Sequence, residues 1–316
     1  MVIEKLEMNS MPLLQTSSAT YAAERLALGE TAIMFGGDCR ELLAALPDGS
    51  TNLTVTSPPY FIGKSYDTST DVSEFSSVHR EILPEIVRVT AEGGSICWQV
   101  GYHVDNGQVF PLDYLVFEIM AKLNAVKLRN RIVWTFAHGF HCAKRFSGRH
   151  EVILWFTKGE AKAFNLDAVR VPQKYPGKRY YKGPRKGDWS GNPLGKNPGD
   201  VWEIPNVKSN HVEKTSHPCQ FPIALVQRLV KGLTNIGDVV LDPFSGTASS
   251  GLAAIMEGRK FIGSEIDLGF CDIATARFSK LDQKVLEFRP LGKAIHTPRS
   301  TDAVAQRPSH FMEWSS

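Results

Sequence analysis

The chain has 316 residues, with 36 Lys and Arg against 33 Asp and Glu and a formal net charge of +3. Its 42% hydrophobic and 22% charged residues are an ordinary globular composition, in one large domain or two small ones. So small a net charge excludes polyanion binding through overall balance, and the lack of any 18-residue apolar run or basic-then-apolar leader argues for a cytoplasmic protein with no membrane contact.

Residues 1–30 mix Ser, Thr, Met and Ala without a clear period, apart from a helix expected at Thr20 to Leu28, and read as an N-terminal extension. Ala32 to Phe35 reads as a short strand ending at Gly36-Gly37-Asp38, followed by a helix with Leu42, Leu43 and Leu46 on one side. Asp38 can cap that helix with a single carboxylate oxygen. The apolar run Leu53 to Val55 then delivers Thr56-Ser57-Pro58-Pro59-Tyr60. Two prolines forbid helix, so Ser57 and the carbonyls beside it are pinned at the carboxyl edge of a strand, where open α/β sheets bind ligands.

A hydroxyl, a rigid carbonyl and an aromatic ring in a row suit one chemical problem. An amino group conjugated to a base ring is a poor nucleophile, because its lone pair is delocalised into the ring. Ser57 Oγ and the Pro58 carbonyl can accept its two N–H protons and favour a tetrahedral nitrogen, while Tyr60 stacks on the base. Taken alone, the stretch equally fits a tight turn.

Phe61 to Ser73 is polar and is read as a lid, a DNA-contacting loop or a plain connection. Val78 to Ala91 has helical spacing interrupted by Pro84 and stopped by Gly93-Gly94; Ser95 to Val100 is a strand; Pro111 to Asn124 is a second helix with proline at its start. Arg131 to Phe136 and Glu151 to Thr157 read as an antiparallel pair at one sheet edge. Between them His138, His141 and Cys142 cluster without metal spacing or a fourth ligand, so a loop and no metal is expected.

Apolar periodicity disappears from Lys158 to Thr215. Within it, Ala168 to Gly187 carries Arg170, Lys174, Lys178, Arg179, Lys182, Arg185 and Lys186, no acid, and Tyr175, Tyr180 and Tyr181 interleaved. Charge runs usually mark solvated loops, but a single sign mixed with aromatics points to a DNA-contacting segment. His217-Pro218-Cys219-Gln220-Phe221-Pro222 introduces a helix with Ile223, Val226, Leu229, Val230 and Leu233 on one face. The five cysteines, Cys39, Cys97, Cys142, Cys219 and Cys271, contain no C-x-x-C; they fit a reducing compartment, with Cys219 a packing residue rather than a nucleophile.

Val239 to Asp242 is an apolar strand, followed by Pro243-Phe244-Ser245-Gly246-Thr247-Ala248 and a helix through Leu252, Ala253 and Ile255. Gly246 lets backbone approach a ligand closely and the helix start supplies free N–H groups. Phe261 to Asp267 is a second strand ending in acid, and Glu265 lies 19 residues after Gly246, near the separation at which a carboxylate meets a ribose hydroxyl. One glycine where dinucleotide folds need three argues for a nucleoside without phosphates, of which S-adenosylmethionine is the common one.

These residues resemble the amino-group DNA methyltransferases of the β group, over roughly residues 30 to 282: Ser57-Pro58-Pro59-Tyr60 is similar to the catalytic motif and Asp242-Pro243-Phe244-Ser245-Gly246 to the cofactor loop. The resemblance implies a Rossmann-like α/β sheet of seven strands, mostly parallel with an antiparallel edge hairpin, and an inserted target-recognition region. It places Asp38, Pro218, Asp242, Phe244, Ser245, Gly246, Thr247 and Glu265 around the cofactor, Ser57, Pro58, Pro59 and Tyr60 at the reacting amine, and Lys174, Lys178, Arg179, Lys182, Arg185 and Lys186 on double-stranded DNA. The serine form is similar to N4-cytosine enzymes and aspartate is typical of N6-adenine enzymes, so adenine N6 is the nearest alternative. Farther alternatives are a protein glutamine amide as acceptor and a non-catalytic DNA-binding protein. The family often has glycine where Ala248 stands, and Ala248 is expected to keep φ below zero. The expected division is extension 1–30, catalytic half 31–157, target recognition 158–215, cofactor half 216–282 and tail 283–316, with room left for a homodimer.

Overall fold

Apolar runs such as Ala-Ile-Met-Phe and Val-Val-Leu lack a polar face, so each can form a strand only where both sides of a sheet are covered. The computed structural model describes residues 13–60, 72–136, 139, 141–295 and 297–306, and it builds these runs into a nine-stranded sheet. The first half of the chain forms β1 (Leu14–Thr16), α1 (Ala19–Ala27), β2 (Ala32–Gly36), α2 (Cys39–Ala45), β3 (Thr51–Thr56), α3 (Val72–Val89) and β4 (Thr90–Val100). A separate hairpin, β5 (Tyr102–Asp105) and β6 (Gln108–Pro111), leads to α4 (Leu112–Lys122) and the long strands β7 (Val126–Thr135) and β8 (His150–Lys158). The second half adds α5 (Leu166–Val169), β9 (Val201–Glu203), α6 (Ile223–Leu233), β10 (Val239–Asp242), α7 (Ser249–Met256), β11 (Lys260–Glu265) and α8 (Leu268–Asp282).

The strand order is β1-β2-β11-β10-β3-β4-β8-β7-β9, with every adjacent pair parallel except β4–β8 and β8–β7. Side chains alternate between two helical layers, as a period of two requires. On β2, Ala32 and Met34 belong to the core under α6, α7 and α8, while Ile33 and Phe35 belong to the core under α1 to α4.

The expected antiparallel pair is present, with Val133 opposite Val152 and Trp134 opposite Glu151. It does not form the edge, however. Val201, Trp202 and Glu203 pair in parallel with Val133, Trp134 and Thr135, so β9 covers the last three residues of the edge that β7 would leave open. At the other end β1 extends the sheet from a stretch read as lacking a period, which turns seven strands into nine. Three-residue strands carry too little alternation to be legible. The stretch after Gln283 is also more than a loose end: Leu286, Phe288 and Leu291 pack against the core, and the Arg289 N–H donates to Glu213 Oε1 at 3.0 Å. The lid or DNA loop expected at Phe61 to Ser73 falls, up to Asp71, outside the described residues, as does His138.

One feature of the topology positions the site. β3 and β10 lie side by side, yet the chain leaves β3 through α3 toward β4 on one flank and leaves β10 through α7 toward β11 on the other. Loops at the carboxyl ends of two such strands part in opposite directions, and a crevice opens between them.

Candidate active site

Thr56 and Asp242 close β3 and β10, and both are buried at this crevice. Thr56 Oγ1 donates to Asp242 Oδ1 at 2.6 Å, so the turn that follows β3 is tied to the loop that follows β10. The Phe244 N–H donates to the same oxygen at 3.1 Å, and the Ser250 hydroxyl donates to Oδ2. Burial pushes the Asp242 carboxyl up to about 6, against the pull of those hydrogen bonds. Asp242 therefore lines the cleft as a clamp whose two oxygens are engaged by the protein itself.

The crevice widens into a cleft of about 910 Å³. That lies at the upper end of the range for single-ligand pockets, roughly 300–1,000 Å³, and leaves room for a nucleoside and a second ring. It brings together all the residues that the sequence assigns to the amine and to the cofactor: Ser57, Pro58, Pro59 and Tyr60 on one wall, and Phe244, Ser245, Gly246, Thr247 and Glu265 on the other. Asp38, Pro218 and Asp242 line it as well. Ser57 Oγ lies 3.4 Å from Tyr60 Oη. Burial, then the negative Glu151, hold the Tyr60 phenol well above its usual range, so it stays a protonated donor. Gly101 leaves space for the ring: a Cβ there would stand 3.3 Å from Tyr60 Cε2.

Residues 51–276 match the DNA methylase family that groups N6 and N4 enzymes. The chain belongs to that family. Type II methyltransferase M.BglII of Bacillus subtilis is 47% identical to the methylase over 242 residues, 76% of this chain and 67% of that one. DNA adenine methyltransferase YhdJ of Escherichia coli K12 is 33% identical over 254 residues, 78% of this chain and 83% of that one. Among solved structures, TTHA0409 from Thermus thermophilus, in complex with S-adenosyl-L-methionine, superposes with a TM-score of 0.58 at 27% identity, covering 83% of this chain and 99% of that one. The methylase is accordingly a DNA methyltransferase with S-adenosylmethionine as methyl donor.

The cofactor wall fits such a nucleoside. Glu265 Oε2 accepts the Gly246 N–H at 2.8 Å and Oε1 accepts the Asp267 N–H at 2.9 Å, leaving a lone pair on each oxygen for hydroxyl donors. Burial raises the pKa of this carboxyl. Gly246 adopts φ 52°, and a Cβ there would lie 3.1 Å from His217 Nε2, so glycine is what lets the loop form this cradle. Asp38 caps α2 by accepting the Arg40 N–H at 2.9 Å, and the Arg40 guanidinium bonded to both its oxygens holds its carboxyl below the ordinary range. Beside Pro218, the His217 ring packs edge-on against Phe270 with centroids 4.5 Å apart.

Three features of the methylase depart from what its sequence suggested. Ala248 does not keep φ below zero: it sits at φ 55°, ψ 42°, a left-handed conformation that costs an alanine about 1–2 kcal/mol. What holds it is Arg277 of α8, whose Nη1 donates to the Thr247 carbonyl at 2.5 Å and to Thr247 Oγ1 and Ser249 Oγ at 3.1 Å. Burial lowers this guanidinium to about 10. The sequence held a signal for it, because Arg277 shares the apolar face of Cys271, Ala274 and Phe278. Second, Cys219 is exposed rather than packed, because it lies on the wall of the cleft. Third, Gln99 and Glu151 line the cleft below Tyr60, joined by a hydrogen bond from Gln99 Nε2 to Glu151 Oε2. A lone polar residue inside the apolar run of β4 was the only sign.

The six basic residues Lys174, Lys178, Arg179, Lys182, Arg185 and Lys186 do not line the cleft; all are exposed on the segment between β8 and β9. Arg179 lies 3.8 Å over the Trp189 ring, Arg185 4.4 Å over the Tyr180 ring and Lys174 5.6 Å over the Tyr175 ring, so three of the cations are held on aromatic faces. Arg170 is bound to Asp167 at 2.6 Å and to the Gly195 carbonyl at 3.0 Å, which withdraws it from this surface. Among the described residues no group of three or more His, Cys, Asp or Glu could hold a metal, and no helix is long and apolar enough to cross a membrane.

Proposed function

We propose that this methylase is a cytoplasmic, site-specific enzyme that methylates N4 of a cytosine flipped out of double-stranded DNA, in a restriction-modification or orphan modification setting. The observation that carries this reading is the Thr56–Asp242 hydrogen bond, which holds the Ser57–Tyr60 turn against the Phe244–Thr247 loop at one cleft. When bound, S-adenosylmethionine supplies an electrophilic methyl group on its sulfonium. The residues of the chain do the rest. Ser57 Oγ keeps a lone pair beyond its contact with Tyr60, and with the Pro58 carbonyl it accepts the two amine protons as the nitrogen becomes tetrahedral. The Tyr60 ring stacks on the extruded base and offsets part of an unstacking cost of a few kcal/mol.

A neutral serine heading the tetrapeptide supports cytosine as the target. Adenine N6 is the second reading, favoured by the likeness to YhdJ. Mass spectrometry of nucleosides from plasmid DNA, grown with the gene in a host without other DNA methylation, should show N4-methylcytosine. N6-methyladenine in its place overturns the cytosine reading.

Two further outcomes are expected. Glu265→Ala removes a partly buried carboxylate whose remaining lone pairs face the cleft, and hydrogen bonds to a charged group are worth about 1.5–3 kcal/mol. The Kd for S-adenosylmethionine by calorimetry should rise about tenfold or more, and an unchanged Kd removes Glu265 from the cofactor. Lys178 and Lys182 should neutralise phosphates. Replacing both with Ala should lower the slope of log Kobs against log salt by about 2, at roughly 0.9 per contact. Equal slopes for wild type and variant would take these lysines off the DNA.

A further inference from the structure

The loop between β7 and β8 carries an unusual side chain. Phe146 is 99% exposed, more than any other large apolar residue among the described ones. Its backbone, by contrast, is braced. The Cys142 N–H donates to Ser147 Oγ at 3.0 Å, the Phe136 N–H donates to the Arg149 carbonyl at 3.0 Å, and Arg145 Nη1 donates to the Phe146 carbonyl at 3.3 Å. The Arg145 guanidinium also lies 5.4 Å over the Tyr102 ring, and Gly148 lets the loop press against the Tyr102 hydroxyl, where any Cβ would collide. Tyr102, Arg145 and Gly148 are themselves part of the cleft wall. From Phe136 to His150 the loop bears Lys144, Arg145 and Arg149 and no acid.

We propose that Phe146 is a wedge that enters the DNA stack beside the target nucleotide and fills the gap left when that base turns into the cleft. An apolar ring held in water on a stiff tip does nothing for the core, and its three cationic neighbours fit a polyanion. Ring insertion between base steps is how proteins partly unstack a duplex, and the braced tip stands at the mouth of the cleft that receives the base. The basic segment between β8 and β9 supplies charge; the β7–β8 loop supplies shape. This inference rests on the reading that the enzyme flips its target base.

The test uses the full-length protein and two synthetic duplexes bearing the sequence found methylated in plasmid DNA. In one the target base is paired; in the other it faces an abasic site and needs little unstacking. Phe146→Ala should methylate the paired duplex about tenfold or more slowly than wild type, yet come within about threefold of it on the abasic duplex. Phe146→Leu, which keeps an apolar wedge, should lose less on the paired duplex. Calorimetric binding of S-adenosylmethionine at wild-type affinity shows that both variants are folded. Wild-type turnover of the paired duplex by Phe146→Ala, or an equal loss on both duplexes, overturns the wedge and leaves the methyltransferase reading intact. A wild-type protein that leaves plasmid DNA unmarked overturns both.

Discussion

Ser57→Ala should slow methyl transfer by about a hundredfold while leaving the affinity for S-adenosylmethionine within about twofold of wild type. The amine becomes nucleophilic only as its lone pair leaves the ring, and positive charge then develops on the nitrogen. An acceptor already in place at that moment stabilises the transition state more than the ground state, which is why removing one such partner costs roughly 10²–10³ in rate. The Pro58 carbonyl remains, so the loss should be partial. Cofactor affinity should hold because Ser57 follows β3, whereas the residues proposed for the nucleoside, Phe244 to Thr247 and Glu265 foremost, belong to the loop after β10 and the end of β11. Single-turnover transfer of labelled methyl to DNA gives the rate, and calorimetry gives the affinity. An unchanged rate removes Ser57 from the chemistry; a parallel loss of cofactor binding would mean that the turn itself had collapsed.

The parts of this site that were legible in the sequence are those whose chemistry is local. Two prolines after an apolar run announce a pinned turn without help from any other segment, and Gly246 announces a tight loop in the same way. What stayed hidden depends on partners far along the chain. Arg277 acts on Thr247, 30 residues away, and Gln99 reaches Glu151, 52 residues away. The left-handed backbone at Ala248 follows from that arginine and from the packing of α7, so alanine's own preference predicted the wrong sign of φ. Likewise β1 and β9 owe their existence to open edges waiting to be covered, and a three-residue segment does not advertise that. Asp242 shows both sides: an acid at a strand end marks the cofactor loop, but its bond to Thr56, 186 residues away, requires the fold.

Asp242→Asn should change how stability depends on pH, and this separates the shape of the clamp from its charge. In the folded protein burial raises this carboxyl from 3.8 to about 6. The native state therefore binds the proton more tightly than the unfolded chain, and between about pH 4 and pH 6 stability falls as pH rises, because folding then requires the proton to be taken up or the charge to be buried. A shift of about two units corresponds to about 3 kcal/mol, present below pH 4 and lost by pH 7. Asparagine keeps an acceptor for Thr56 Oγ1 and the Phe244 N–H, and the Ser250 hydroxyl can rotate to accept from its amide. It has no proton to exchange, so relative to wild type it should gain about 3 kcal/mol between pH 4 and pH 7. Urea midpoints of both proteins across that window measure the gain, and parallel curves would show that Asp242 is not the group that titrates. Asp242→Ala should behave differently again. Three donors lose their acceptor, at about 1–3 kcal/mol for each group left unsatisfied, and the turn after β3 is freed from the loop after β10, so rate and cofactor affinity should fall together. That joint fall is what distinguishes a clamp from a contact to either substrate, and it accounts for a costly buried carboxylate at the one point where β3 and β10 stop pairing and the cleft begins.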